Sequence, residues 1–320
     1  MGSFNKLKNI LEERDNFLLI CHVSPDGDAV GSLVAMSKLL RHYGKKFQMV
    51  SKDSIPLVFH FIAEKEKITD DFLTGSFDTI ILLDNGDLRR TGFPERIKKA
   101  KSKKIKIINI DHHPKNDIWP LADINYVDTD SSSACELLYD FFVGIGFDIT
   151  SSLATTLLSG IYNDTGGFQH SNTSEKTFTV IANLLSLGAQ LKTISSNIVQ
   201  NKPISSLKLW GIAMSRLKIN QNFDCAYSVL TAKDIEEAGA SIDEVSGLVN
   251  LLNTTAESRV TLLLYETFDG KIRGSLRTED DKIDLSKMAS LFGGGGHKKA
   301  AGFSMGGRIQ LNESGHWKVS

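Results

Sequence analysis

The stretch Lys104-Ile105-Lys106-Ile107-Ile108-Asn109-Ile110 is followed directly by Asp111-His112-His113-Pro114. The isoleucine-rich run is short and a turn-forming proline comes after it, which predicts a buried strand that ends in a loop. The loop carries one carboxylate and two imidazoles in three consecutive residues. Ligands bind at the carboxyl ends of the strands in an open α/β sheet, so this loop is a candidate site.

Three other segments in the first half of the chain repeat this arrangement. Each has an ionisable side chain just after an apolar segment, and we expect the four loops to converge because the carboxyl ends of parallel strands line one crevice. The three segments are residues 22–28 after the apolar 17–20, residues 84–87 after 79–83, and residues 163–167 after the helix-like 153–162.

The pattern of apolar runs predicts two domains, which suits a chain of 320 residues. Strands alternate with helices over residues 1–190, which predicts an α/β fold with a mostly parallel sheet and helices on both faces. Residues 191–214 are helical in two pieces broken by Pro203 and are the predicted linker. Residues 215–320 form a smaller α+β domain, with a long helix over 235–252 and a hairpin at Asp269-Gly270.

The composition argues against several classes of protein. Lys plus Arg is 37 and Asp plus Glu is 38, for a net charge of −1, whereas proteins that grip long nucleic acid are usually far more basic. The three cysteines form no CxxC pair, which argues against a disulfide framework and a thiolate zinc site. The sequence has neither a signal-peptide pattern nor an apolar run of about 18 residues, so we expect a soluble, cytoplasmic protein.

The ionisable groups of the four loops form a candidate metal site. Taken alone, Asp28 is explained as a helix cap and one histidine as a structural residue, but the whole set is not. Crowded carboxylates raise one another's pKa unless cations compensate, and hard divalent cations with oxygen and imidazole ligands do so. Manganese or magnesium therefore fits better than structural zinc. The set is His22, Asp26, Asp28, Asp84, His112, His113 and Asp164.

These motifs resemble those of a known superfamily. His22-Val-Ser-Pro25-Asp26-Gly-Asp28-Ala-Val-Gly31-Ser32, Asp84-Asn-Gly-Asp87, Asp111-His112-His113-Pro114 and Asp164-Thr165-Gly166 resemble the four motifs of the DHH phosphoesterases. Residues 274–278 and 292–303 resemble the DHHA1 domain that accompanies them. The nearest type is the stand-alone nanoRNase and 3′-phosphoadenosine 5′-phosphate phosphatase (NrnA-like) family. Its members use manganese to trim short oligoribonucleotides from the 3′ end and to remove the 3′-phosphate of phosphoadenosine phosphate.

The resemblance also implies residue roles. One metal would be held by His22, Asp26 and Asp84, and a second by Asp28, Asp84, His112 and Asp164, with Asp84 bridging. Two manganese ions per site are implied, with magnesium or cobalt as substitutes. Asp84 and His113 would act in catalysis, His113 as a donor or acid at the substrate phosphate, and Asp111 would orient an imidazole from behind.

The resemblance places substrate recognition in the second domain. The implied substrate-binding residues are Ser275, Arg277, Gly294, Gly295, Gly296 and His297. The glycine run is also explained as the end of a helix followed by a loop. The roles of Arg89, Arg90 and Arg259 stay open at this point.

Several functions remain in competition. The main prediction is a manganese-dependent phosphoesterase for a small nucleotide or short oligonucleotide, with no long nucleic acid or membrane as partner. A cyclic di-AMP or linear dinucleotide phosphodiesterase and a non-catalytic nucleotide sensor are the alternatives. A manganese pyrophosphatase or exopolyphosphatase shares the first four motifs but lacks the glycine run. The sequence does not give the oligomeric state, and a homodimer is the commonest arrangement.

Overall fold

The computed structural model describes residues 2–73, 75–200, 202–296, 298–312 and 317–320. The chain divides into two compact units, Met1–Asn201 and Lys202–Ser320. The predicted linker, residues 191–214, contains a short helix whose Ile194 is buried in the core of the first unit. It also contains most of a helix whose Leu209 and Ala213 are buried in the second unit.

The first unit is built on a parallel sheet of six described strands in the order β3-β2-β1-β4-β5-β6. The strands are β1 Asn16–Ile20, β2 Lys46–Val50, β3 Ile68–Thr69, β4 Thr79–Leu83, β5 Lys106–Asp111 and β6 Ile124–Val127. Each neighbouring pair is parallel, as predicted. The β3 strand is only two residues long and was not predicted, because so short a segment has no recognisable periodicity.

Both faces of this sheet are covered by helices, which confirms the predicted fold class. The side chains of Phe17 and Leu19 join one apolar core, whereas Leu18 and Ile20 join another on the opposite face. This alternation explains why the strand is apolar from residue 17 to residue 20. The helices are α1 Gly2–Glu13, α2 Gly27–His42, α3 His60–Ala63, α4 Pro94–Ser102, α5 Ala134–Ile145, α6 Ser151–Asp164, α7 Glu175–Ser186 and α8 Leu191–Ser195.

Helices α2 and α6 pack closely because glycines lie at their contact. A Cβ atom on Gly160 would lie 2.7 Å from Oδ1 of Asp28, and one on Gly31 would lie 2.9 Å from Sγ of Cys135. These small residues allow the start of α2, which carries Asp28, to sit against α5 and α6.

The second unit contains a mixed sheet of six described strands in the order β11-β12-β10-β9-β8-β7. Its strands are β7 Lys218–Asn220, β8 Cys225–Leu230, β9 Val260–Glu266, β10 Lys271–Arg277, β11 Gly295–Gly296 and β12 Ala300–Gly306, with β13 Ile309–Leu311 and β14 Trp317–Val319 paired separately. Its helices are α9 Ile204–Ser215, α10 Ala232–Glu237, α11 Leu248–Leu252 and α12 Leu285–Ser290. The hairpin predicted at Asp269-Gly270 is confirmed, since β9 and β10 are antiparallel neighbours on either side of it.

The long helix predicted over residues 235–252 is wrong. The chain forms α10, a 3₁₀ turn at Ile242–Val245 and then α11. Gly239 and Gly247 have φ angles of +65° and +83°, a left-handed conformation that ends a right-handed helix. In the described residues of both units, no helix is both long enough and apolar enough to cross a membrane.

Candidate metal centre

The sheet order brings three of the predicted loops together. Strands β1, β4 and β5 are neighbours, so the residues that follow them meet at one edge. Asn85 links the ends of β1 and β4, because its side-chain amide donates to the carbonyl oxygens of Ile20 (3.1 Å) and Leu83 (3.0 Å). Asp84 has φ +56°, a left-handed conformation that aspartate tolerates better than most residues and that turns the chain out of β4.

The first group of candidate ligands contains His22, Asp26 and Asp84. The Nε2 atom of His22 lies 3.6 Å from Oδ2 of Asp26 and 3.5 Å from Oδ2 of Asp84. Nδ1 of His22 lies 2.8 Å from the carbonyl oxygen of Val23, to which Nδ1–H donates in the tautomer that leaves a lone pair on Nε2. Within the described residues, Nε2 of His22 and Oδ1 of Asp84 are buried without a hydrogen-bond partner, which fits a cation.

The second group contains Asp28, His112 and Asp164, whose ligand atoms lie within 4.8 Å of one another. Nε2 of His112 is 3.2 Å from Oδ2 of Asp164 and 3.5 Å from Oδ1 of Asp84. Asp84 therefore lies between the two groups, with Oδ2 towards His22 and Oδ1 towards His112. The structure brings all six predicted ligands together.

Two carboxylates of the cluster are held by helix N-termini. Oδ1 of Asp26 accepts from the amides of Asp28 and Ala29 at 3.1 Å and caps α2, which leaves Oδ2 towards His22. Asp26 is the cap, so the simple explanation of Asp28 as the cap was wrong. The Asp28 carboxylate instead accepts from Ala134 N (2.6 Å) and Cys135 N (2.9 Å) at the start of α5.

Burial and charge shift the pKa values of the cluster strongly. Burial raises the pKa of the Asp28 carboxyl well above its usual range, and the charges of Asp84 and Asp164 raise it further. Burial would also raise the pKa of Asp84, but the contacts with His112 and His22 outweigh it and hold that pKa well below normal. Protonated imidazoles thus balance the buried carboxylates, a task that a divalent cation would take over.

The pKa of His22 reflects the same opposing effects of burial and charge. Burial and the positive charge of Arg90 both lower the pKa of His22, but the carboxylates of Asp26 and Asp84 raise it to about 10. The charge of Arg90 therefore acts on one of the candidate ligands, His22.

His113 is held from both sides. Its Nδ1 lies 2.6 Å from Oδ1 of the fully buried Asp111, whose Oδ2 accepts from Gly86 N at 2.9 Å. Its Nε2 lies 3.4 Å from Nη1 of Arg90. Asp111 thus orients an imidazole, and a donor role for His113 at Nε2 requires that the Arg90 contact be exchanged for one with substrate.

The predicted substrate residues of the second unit lie on and beside β10. Ser275 pairs with Gly302 of β12, which in turn pairs with Gly295 of β11, so the three residues are in register across three strands. Arg277, on the same face of β10 as Ser275, is half-buried and donates from Nε to Oδ1 of Asn250 at 2.7 Å. Burial lowers the pKa of Arg277 to about 10.

The glycine run divides between a helix end and a strand. The amide of Gly294 donates to the carbonyl oxygen of Ala289 at 2.9 Å, so this N–H closes the end of α12. Gly295 and Gly296 form β11 and are exposed. His297, also predicted to bind substrate, lies outside the described residues.

Two features of the site were not predicted from the sequence. One is the pair of α5 amides that hold Asp28, which lie more than 100 residues further along the chain and have no local signal. The other is the contact between Arg90 and His113, since a single arginine six residues after Asp84 is not distinctive in the sequence.

Comparison with known proteins identifies the family of both units. Residues 16–161 match the model of the DHH family, N-terminal domain, and residues 222–313 match the DHHA1 domain. An uncharacterized protein of Mycoplasma pneumoniae is 30% identical over 314 residues, which cover 96% of this chain and 91% of that protein. The chain belongs to the DHH phosphoesterase family. The family, the two-domain fold and the hydrolytic class predicted from the sequence are confirmed.

This DHH phosphoesterase has further relatives with informative names. The bifunctional oligoribonuclease and PAP phosphatase NrnA of Thermus thermophilus is 29% identical over 289 residues, which cover 89% of this chain and 83% of that protein. The crystal structure of an exopolyphosphatase-related protein from Bacteroides fragilis superposes with a TM-score of 0.86 at 24% identity, covering 94% of this chain and 90% of that one. Because the identity to the Bacteroides fragilis protein is only 24%, this second similarity is evidence for the fold of the DHH phosphoesterase alone.

Proposed function

We propose that this phosphoesterase removes nucleotides from the 3′ end of short oligoribonucleotides and also takes the 3′-phosphate from 3′-phosphoadenosine 5′-phosphate. The observation that carries the proposal is the convergence of six ligand side chains in two groups around Asp84, beside the Asp111–His113 pair. The substrates are supported by the similarity to the bifunctional oligoribonuclease and PAP phosphatase of Thermus thermophilus.

We further propose two manganese ions as the cofactor, with magnesium or cobalt as substitutes. His22, Asp26 and Asp84 would hold one ion, and Asp28, His112 and Asp164 would hold the other, with Asp84 shared. Oxygen and imidazole ligands without sulfur suit these ions. When bound, such ions lower the pKa of water and neutralise charge on the reacting phosphate.

The side chains around the ligands have separate tasks in this proposal. Asp111 accepts from Nδ1 of His113 and fixes the orientation of its ring. His113 can then meet the substrate phosphate with Nε2. In the second unit, Arg277 and Ser275 would bind a phosphate or ribose of the substrate, because a guanidinium matches a phosphate with two parallel hydrogen bonds.

Substitution of His112 and substitution of His113 should affect different properties, metal content in the first case and turnover in the second. We expect His112→Ala to lose bound metal, since His112 faces two ligand carboxylates at 3.2 and 3.5 Å. We expect His113→Ala to keep its metal content and to lose turnover by roughly 10²–10⁴-fold, the range for proton transfer. Elemental analysis of both purified variants, together with their turnover numbers, checks the assignment. The opposite metal contents would exchange the two roles.

Turnover of a substrate panel tests the function itself. We expect a ribonucleotide trimer and phosphoadenosine phosphate to be hydrolysed much faster than an oligonucleotide of roughly 24 residues, since a chain with net charge −1 offers no extended basic track. In Arg277→Ala the KM for the trimer should rise by roughly 10-fold or more, as a charged hydrogen bond is lost.

The same panel separates the alternatives. Preferential hydrolysis of cyclic di-AMP or a linear dinucleotide would favour the phosphodiesterase, and preferential hydrolysis of pyrophosphate or polyphosphate would favour the inorganic phosphatase. Binding of nucleotides without turnover in the presence of manganese would favour the sensor. Any of these results would replace the proposed substrates.

A further inference from the structure

Arg90 is fixed to two of the loops that build the metal centre. It lies in a 3₁₀ turn, Arg89–Thr91, six residues after Asp84. Its amide donates to Oδ1 of Asp87 at 2.8 Å, and its carbonyl oxygen accepts from the amide of Val23, next to His22, at 2.7 Å. The backbone of Arg90 is therefore held between the β1 and β4 loops.

Gly86 leaves room for the guanidinium of Arg90 beside the His113 ring. Nη1 of Arg90 lies 3.4 Å from Nε2 of His113. A Cβ atom on Gly86 would lie 2.8 Å from that Nη1 and 3.1 Å from Cδ2 of His113, so a larger residue there would press on both side chains. Gly86 also has φ +67°, which glycine adopts without strain.

The guanidinium of Arg90 has no carboxylate oxygen within 4.0 Å among the residues that the structure describes. Two other arginines of the first unit do have one, because Arg41 is paired with Glu66 and Arg96 with Asp71. The carboxylate of Asp111, which contacts Nδ1 of the same His113 ring, is already engaged by His113 and by the amide of Gly86. An arginine is always charged, and Arg90 is half-buried, so an anion that enters this site gains a charged partner.

We propose that Arg90 binds the phosphate group on which the enzyme acts and stabilises the charge that develops on its oxygens during hydrolysis. This inference rests on the proposed function and assigns a residue to the same site. When substrate binds, the Arg90 contact with Nε2 of His113 would be exchanged for contacts with the phosphate, and the donors of the planar guanidinium would reach its oxygens beside His113. Arg90 would then be a catalytic residue that approaches the phosphate from the wall formed by the β4 loop.

The test compares Arg90→Ala and Arg90→Lys with a control variant, Arg89→Ala. Arg89 is the neighbouring arginine, and its side chain is exposed. On the ribonucleotide trimer we expect Arg90→Ala to lose roughly 10²–10³-fold in kcat, as for loss of one transition-state donor, with unchanged metal content. Arg90→Lys should recover only part of the loss, because lysine keeps the charge without the fork. Added guanidinium chloride should restore part of the rate of Arg90→Ala, whereas equal potassium chloride should not.

Binding of inorganic phosphate gives a readout that does not need turnover. Calorimetric titration of phosphate into the manganese-loaded protein should show affinity weakened by roughly 10-fold or more in Arg90→Ala and unchanged in Arg89→Ala. Equal rates and equal phosphate affinity in Arg90→Ala and Arg89→Ala would overturn the assignment. So would a loss of rate that comes with lost metal and no guanidinium rescue, since Arg90 would then only support the ligands. If the wild type hydrolyses none of the nucleotides, the proposed function fails, and the phosphate titration still decides on Arg90.

Discussion

Asp84→Asn should lower turnover by roughly 10⁴-fold or more, because each bound metal contributes several kcal/mol to transition-state charge stabilisation. Asp84 lies between the two groups of candidate ligands, with one oxygen 3.5 Å from His22 and the other 3.5 Å from His112. Asparagine is the informative replacement because it keeps the shape of the side chain and tolerates the left-handed backbone at φ +56°.

Two further variants make this result specific. Asp26→Asn affects one ligand group only and should cost less than Asp84→Asn. Asp123→Asn is the control, because Asp123 contacts Lys106 and Ile107 at the opposite end of β5 from Asp111 and should leave turnover unchanged. Metal content and circular dichroism should be measured on all three. Near-wild-type turnover in a folded Asp84→Asn protein would show that Asp84 is not shared between metals.

Exhaustive chelation should reduce turnover to the uncatalysed level, and manganese should restore it better than magnesium or cobalt. Without cations, the cluster balances its buried carboxylates with protonated imidazoles, which cannot supply the same chemistry. Metal should also protect the fold, by about 2.7 kcal/mol at a free concentration 100 times its dissociation constant. Turnover and thermal unfolding should therefore be followed in parallel during metal removal and return.

A second set of measurements distinguishes metal binding from metal-dependent catalysis. The Asp84→Asn protein should show a smaller rise in unfolding temperature with manganese than the wild type. Full activity after chelation, with metal content verified as negligible, would contradict the metal-dependent proposal. A rise in unfolding temperature without recovered turnover would separate binding of metal from catalysis.

Sequence patterns predicted the first unit well for a physical reason. Strands β2, β4 and β6 begin and end at the predicted residues, because buried parallel strands are short apolar runs between polar segments. The candidate ligands were selected for the same reason, since each follows such a run or lies at the end of an apolar helix. The second unit was harder to predict, because Gly239 and Gly247 divide a segment whose apolar pattern alone suits one long helix.

Contacts between distant parts of the chain could not be predicted from the sequence. The amides of Ala134 and Cys135 hold Asp28 because glycines at the α2–α6 contact allow the helices to approach. Arg90 approaches His113 because Gly86 leaves the space between them. In both places the decisive feature is the absence of a side chain, which carries no chemical pattern along the sequence.

The anchoring of Asp28 also bears on how the protein is made. Asp28 and Ala134 are 106 residues apart, so at roughly 5–20 residues per second the ribosome needs on the order of 5–20 seconds to produce the partner after the ligand. During that interval His22, Asp26 and Asp28 form only part of the pocket. Asp164, the last of the candidate ligands along the chain, lies at the end of α6 and is synthesised later still, so a metal ion that needs all six ligands would bind only after most of the first unit has been made.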